Sequence, residues 1–81
     1  MNQAEVLAGL QSIFDEIFLD PVVVTPSLSA KDVDEWDSLM QISLIVAVEA
    51  KFGIKFRMGE VEATQNLDDF SKLILRLKQG H

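Results

Sequence analysis

The spacing of apolar residues near the N-terminus most constrains what this chain can fold into. These residues recur at intervals of three and four, and they are Val6, Leu7, Leu10, Ile13, Phe14, Ile17 and Phe18. On a helix of about 3.6 residues per turn these positions share one stripe, so the segment is predicted to be an amphipathic helix with one buried face. Asn2 and Glu5 have the spacing of a capping box at its start, and Asp20 with Pro21 predicts its end.

Further apolar patterns predict helices in the middle and at the end of the chain. The second helix is predicted to begin at Asp37 or Ser38 and to end at Gly53, because glycine readily adopts the left-handed conformation that follows many helices. The last helix is predicted to begin after Asn66, a candidate N-cap. Its apolar stripe is Leu67, Phe70, Leu73, Ile74 and Leu77. Residues 58–64 carry a weaker pattern that predicts a short third helix, and 80–81 are expected to be a frayed tail.

The segment between the first two helices is predicted to be a long loop. The β-branched run at 22–24 would favour a strand, but Pro21 and Pro26 bracket it and no partner strand pattern occurs elsewhere. The expected fold is therefore all-α: a small four-helix bundle, with a long loop between helices I and II and a short helix III. Residues 1–81 are expected to form a single domain.

Composition excludes several classes of function. Thirteen acidic against seven basic residues give a net charge of −6, which argues against a nucleic-acid binder and favours basic protein partners. The sequence contains no cysteine, no metal-ligand cluster and no glycine-rich phosphate loop. It has no apolar run long enough to cross a membrane and no signal-peptide pattern, so a cytoplasmic protein that does not enter the membrane is expected.

The second helix is apolar around more of its circumference than a small bundle can cover. One stripe is Leu44, Ile45, Val48 and Phe52, and a neighbouring stripe contains Leu39, Ile42 and Val46, with Ser43 and Glu49. Such a helix is either buried on all sides or keeps one apolar face for a partner. Periodicity alone leaves open which stripe faces the core.

The segment Asp37, Ser38 and Leu39 resembles the modification site of acyl carrier proteins, and the order of helical segments along nearly all of the chain resembles that family too. The resemblance implies a covalent 4′-phosphopantetheine arm, transferred from coenzyme A to Ser38, with Asp37 and Leu39 completing the recognition motif. The arm would carry acyl groups as thioesters. The implied partners are a phosphopantetheinyl transferase and acyl-activating, acyltransferase or synthase enzymes, and the carrier would be a monomer.

The chain departs from housekeeping fatty-acid carriers on the second helix. Those carriers usually have an acid directly after the Asp-Ser-Leu triplet, whereas this chain has Met40 there and retains Glu49 further along. We expect Met40, Ile42, Val46 and Glu49 to line the docking helix, and Asp34 and Glu35, with Asp32 and Asp37, to attract basic partners. Trp36 before the Asp-Ser pair resembles stand-alone carriers of specialised pathways, and it is also expected to pack the loop against the bundle.

The sequence leaves two alternatives open and disfavours a third. Asp37 and Ser38 could serve only as helix N-caps of an unmodified helical interaction module. An aminoacyl or peptidyl carrier would use the same arm, since partner enzymes choose the cargo. Catalysis by Ser38 itself is disfavoured, because the only histidine is His81 at the chain end and no other general base is indicated.

Overall fold

A computed structural model of the chain describes residues 1–57 and 59–79. It contains three α-helices: α1 at Gln3–Ile17, α2 at Ser38–Phe52 and α3 at Leu67–Gln79. One turn of 3-10 helix, Ala30–Asp32, interrupts the loop between α1 and α2. No strand occurs among these residues, and the predicted all-α class is confirmed. None of their helices is long and apolar enough to span a membrane.

The helix ends agree with their sequence signals. The Asn2 side chain accepts a hydrogen bond from the Glu5 backbone N–H at 2.9 Å, and the Glu5 carboxylate accepts from the Asn2 N–H at 3.0 Å, which completes the capping box. Gly53 ends α2 with a φ of 66°, in the left-handed region. Asn66 caps α3 by accepting from the Asp69 N–H at 3.0 Å.

The predicted short third helix is replaced by turns over residues 59–63. Gly59 has a φ of 87°, and the carbonyl of Val61 accepts from the Thr64 N–H at 3.0 Å. Residues 58, 80 and 81 lie outside the described part of the chain, and with them the start of that predicted helix and the predicted frayed tail. The segment buries Val61 against the bundle.

The core lies where α1 packs against both α2 and α3. Its buried apolar residues are Val6, Leu10, Ile13, Phe14, Phe18, Leu44, Val48, Phe52, Ile54, Val61, Leu67, Phe70, Leu73 and Ile74. Gly9 permits a close approach of α1 to α2, since a Cβ atom at this position would lie 2.7 Å from Phe52 Cζ. Phe14 of α1 and Phe52 of α2 are both buried in the core between these closely packed helices.

The long loop is attached to the helices by hydrogen bonds. The Gln11 side-chain amide donates to the Val22 carbonyl at 2.7 Å and accepts from the Val24 N–H at 2.9 Å, so a single side chain pairs with the extended β-branched run. At α3, the Leu67 N–H donates to the Leu28 carbonyl and the Asp68 N–H to the Pro26 carbonyl. These bonds use backbone groups that the helix start would otherwise leave unpaired.

Trp36 packs the end of the loop onto α1, as the sequence predicted. Its ring lies edge-on to Phe14 at a centroid distance of 5.3 Å and close to Phe18 at 6.1 Å. Edge-to-face aromatic contacts of this kind stabilise by about 0.5–1.5 kcal/mol beyond the burial of area. Two residues further along the chain, Ser38 begins α2.

Candidate functional site

Ser38 is the first residue of α2, and its side chain is exposed. The N-cap is Asp37, whose carboxylate accepts from the Met40 N–H at 2.9 Å. The Ser38 hydroxyl has no hydrogen-bond partner among the described residues. Capping is therefore performed by Asp37 alone, and the Ser38 hydroxyl is free to react at a helix N-terminus, where unpaired N–H groups favour an attached phosphate.

The acidic residues around Ser38 differ in how far the fold uses them. Glu35 accepts from the backbone N–H groups of Leu19 and Asp20, both at 3.0 Å, and so fastens the end of the loop to the residues after α1. Asp32 accepts from the Ser29 N–H at 3.0 Å at the start of the 3-10 helix. Asp34 is exposed and has no partner in the described chain. Of these three acids only Asp34 is free of a structural contact, a difference that residue type alone could not reveal.

The outer face of α2 carries two of the four docking residues predicted on this helix, Ile42 and Val46. Leu39 is 76% exposed, and Ile42 and Val46 are each 60% exposed. Met40 differs, because it is half-buried and packs against the core. We call Leu39, Ile42 and Val46 the outer face of α2. It is an apolar surface directly beside Ser38, and its use by partners stays a prediction.

Glu49, the retained acid, makes a contact that the sequence did not reveal. It is half-buried, and its Oε2 accepts from the Phe56 N–H at 2.9 Å. The carboxylate thus holds the chain that follows Gly53 against α2. Its predicted docking role is untested, and the outer face of α2 itself contains no acid.

Ser38 lines one concave region, and a second region shares lining residues with it. The surface hollow is lined by Ala30, Trp36, Asp37, Ser38, Gln41 and Ile42. The inner cavity, of about 250 Å³, lies between α2 and the chain leading into α3. Its apolar lining residues are Leu44, Val61, Leu67 and Phe70, and its polar rim includes Thr64, Gln65 and Asn66. Ala30, Trp36 and Gln41 line both regions.

The clearest electrostatic pair lies on α3. Lys72 Nζ lies 2.9 Å from Asp68 Oδ2. The hydrogen bond from Lys72, with a second from Gln3, lowers the pKa of Asp68 below its ordinary value, and Asp68 in turn raises the pKa of Lys72. Within 1–57 and 59–79 no group of histidine, cysteine or acidic side chains is arranged to hold a metal ion.

Comparison with known proteins defines the class of this site and then the family. The family model described as a phosphopantetheine attachment site matches residues 8–74. The chain is 34% identical over 70 residues to an acyl carrier protein of Thermosynechococcus vestitus, a match covering 85% of this chain and 86% of that protein. It is 30% identical over 79 residues to a meromycolate extension acyl carrier protein of Mycolicibacterium aurum, covering 96% and 81%. The chain belongs to the acyl carrier protein family.

A solved structure supports the same assignment for the fold. The holo acyl carrier protein from Geobacter metallireducens superposes with a TM-score of 0.74 at 31% identity, over 98% of this chain and 92% of that one. The resemblance, the fold class and the covalent 4′-phosphopantetheine group expected from the sequence are confirmed. The protein is thus an acyl carrier.

Proposed function

We propose that Ser38 bears the 4′-phosphopantetheine arm and that the protein presents acyl thioesters on it to the enzymes of a specialised biosynthetic pathway. The observation that carries the attachment site is the division of roles at the start of α2. Asp37 supplies the helix cap, which leaves the adjacent serine hydroxyl exposed and without a partner. Asp37 and Leu39 would complete the surface that a phosphopantetheinyl transferase recognises.

The chemistry at Ser38 is a phosphoryl-type transfer. The serine oxygen forms a bond to the phosphorus of the phosphopantetheinyl group, the bond from this phosphorus to the bridging oxygen of coenzyme A breaks, and the nucleotide half leaves. The hydroxyl proton must pass to a base. No histidine occurs among residues 1–57 and 59–79, and the base is expected to come from the transferase. This arrangement supports a carrier that performs no catalysis of its own.

Partner enzymes are proposed to combine two surfaces. The outer face of α2 would enter an apolar groove of the partner, and the acids at Asp34 and Glu35 would attract its basic rim. Met40 would contribute through its exposed part, and Glu49 at most through the oxygen that Phe56 does not use. A monomer in the cytoplasm is expected from the sequence, and both properties remain predictions.

A specialised pathway is favoured by two observations. Met40 stands where housekeeping fatty-acid carriers usually have an acid, and several relatives are meromycolate extension acyl carrier proteins. The family match favours a modified carrier over the unmodified interaction module. An aminoacyl or peptidyl cargo uses the same arm and is distinguished by loading assays with the partner enzymes.

Replacing Ser38 with alanine tests the attachment site directly. Incubation of the wild type with a broad-specificity phosphopantetheinyl transferase and coenzyme A is expected to add the mass of one arm, and Ser38→Ala is expected to abolish it. Ser43→Ala is the matched control, because Ser43 is exposed on the same helix but is preceded by Ile42. An undiminished mass gain in Ser38→Ala would overturn the assignment.

A further inference from the structure

Gln41 lies where the surface hollow meets the inner cavity, since it lines both. Ser38 and Gln41 are three residues apart on α2, a spacing that makes their side chains neighbours on one face of the helix. Trp36 stands at the same junction. A group that is attached to Ser38 and enters the inner cavity from the surface hollow therefore passes beside Gln41.

Trp36 decides which end of the Gln41 amide is available. The indole Nε1–H donates to Gln41 Oε1 at 2.6 Å. Because the indole N–H can only donate and Oε1 is the only acceptor of the amide, a flipped amide would bring two donors together. The Gln41 Nε2 group is thus left without a hydrogen-bond partner in the described chain. Every fully buried polar side-chain atom of the described residues has a hydrogen-bond partner. Because Gln41 Nε2 has none, it is accessible to solvent.

The other polar groups at the rim offer no equivalent donor beside Ser38. The Thr64 hydroxyl already donates to the Val61 carbonyl at 2.6 Å. Asn66 Oδ1 accepts from the Asp69 N–H and its Nδ2 group has no partner in the described chain, but Asn66 does not line the surface hollow that contains Ser38. Gln65 is exposed to solvent, whereas Gln41 is half-buried. A hydrogen bond from Gln41 is therefore partly shielded from competing water, and it lies at the entrance to an apolar interior.

We propose that Gln41 Nε2 donates a hydrogen bond to an acceptor oxygen of the acyl group when its apolar tail occupies the inner cavity. Trp36 acts as a positioning residue, because its indole N–H holds the amide in the donating orientation. The ligand class is an acyl thioester, and the oxygen is that of the thioester carbonyl or of a β-hydroxyl group. The proposal rests on attachment of the arm at Ser38.

The first test measures how well the cavity protects the thioester. The full chain is loaded by a phosphopantetheinyl transferase from octanoyl-coenzyme A or β-hydroxyoctanoyl-coenzyme A, and cleavage by added hydroxylamine is followed. Gln41→Leu, which keeps the bulk and removes the donor, is expected to speed cleavage by about two- to tenfold, the range that one hydrogen bond supplies. Gln79→Leu is the matched control at an exposed position on α3 and should leave the rate unchanged.

The second test observes the hydrogen bond itself. The side-chain amide resonance of Gln41 should shift when the acyl group is loaded and should stay in place when only the arm is added. In Trp36→Phe the packing on Phe14 is largely kept but the indole donor is lost. The amide is then free to turn, and the shift on acylation should shrink.

Each outcome decides between readings of the site. Faster cleavage in Gln41→Leu with both cargoes identifies the thioester carbonyl as the acceptor, and an effect with β-hydroxyoctanoyl alone identifies the hydroxyl. Equal rates in wild type and Gln41→Leu, or a Gln41 resonance that shifts as much with the bare arm, overturn the proposal. If no arm is added at all, attachment at Ser38 is wrong and this inference falls with it.

Discussion

The inner and outer faces of α2 consist of the same kinds of apolar side chain but differ in what covers them. On the inner face Leu44 and Val48 are 0% exposed and Phe52 is 5% exposed, whereas on the outer face Leu39, Ile42 and Val46 are 60–76% exposed. Apolar side chains left in water forgo the free energy that burial would supply. The inner face holds the bundle together, and the outer face is left uncovered beside Ser38, the proposed attachment residue.

The outer face of α2 and the loop before Ser38 also differ in charge. The outer face of α2 carries no acid, while the loop before Ser38 holds the cluster of carboxylates. We expect contact with α2 to set how tightly a partner holds the carrier, and the loop to set how fast the two meet, because long-range attraction acts mainly on encounter rates.

The largest expected effect is on the free energy of unfolding, and it distinguishes the inner from the outer face of α2. Phe52→Ala should lower the free energy of unfolding by about 3–5 kcal/mol, because it empties the space between α1 and α2. Val46→Ala should cost about 1 kcal/mol or less, since its side chain is already in water, while slowing acyl transfer with the partner enzyme. Denaturant melts of both variants measure the difference. A Val46→Ala loss as large as that of Phe52→Ala would show that the outer face is part of the core.

Asp34 and Glu35 form a matched pair of acids that tests the role of charge on the loop. Asp34→Asn and Glu35→Gln each remove one charge, so both should slow modification at low salt by a similar factor. Only Glu35→Gln should also destabilise the fold, by about 1 kcal/mol, because it weakens the bonds to the Leu19 and Asp20 N–H groups.

The salt dependence of modification is the control for the Asp34 and Glu35 variants. The Debye length falls from about 10 Å at 0.1 M to about 3 Å at 1 M salt, so wild-type modification should slow as salt rises, and less steeply in either variant. Rates of the wild type that are independent of salt would contradict a role for charge in the encounter, whatever the stability of Glu35→Gln.

The smallest effect concerns an exposed pair far from the α2 comparison. Because the folded-state pKa of Asp68 is lowered, chiefly by the Lys72 hydrogen bond, its contribution to stability is present above the ordinary aspartate pKa and is lost as pH falls through the folded value. Asp68→Asn should therefore flatten the acid side of the stability profile slightly. Urea melts between neutral pH and about pH 3 measure this, and identical slopes in both proteins would show that the pair contributes nothing.

Local signals in the sequence predicted the helices and their ends well. Asn2 with Glu5, Gly53 and Asn66 each act through neighbours within a few residues, which is why their capping roles were readable in advance. The short third helix was less predictable. Residues 59–63 form turns and bury Val61. A weak apolar pattern is compatible with any conformation that buries this residue, so it could not distinguish turns from a helix.

Contacts between distant residues could not be predicted in the same way. Glu35 and Glu49 were interpreted as surface acids, whereas the structure shows them binding backbone N–H groups of Leu19, Asp20 and Phe56. Gln41 carries no distinguishing signal in the sequence, and its pairing with Trp36 depends on the path of the loop. A glutamate or a glutamine is the same residue in the sequence whether its side chain faces water or a peptide group. Only the fold distinguishes the two cases.

The attachment of the loop to α1 and α3 has a consequence for how the carrier delivers its cargo. Gln11 holds the middle of the loop, and Pro26 and Leu28 accept from the first turn of α3, so the segment leading to Ser38 is fixed along much of its length. The freedom to visit successive enzymes then resides in the arm. An enzyme bound to the outer face of α2 would meet an arm attached at Ser38 at one constant distance and direction, and a cargo outside the inner cavity would explore a volume set by the length of the arm.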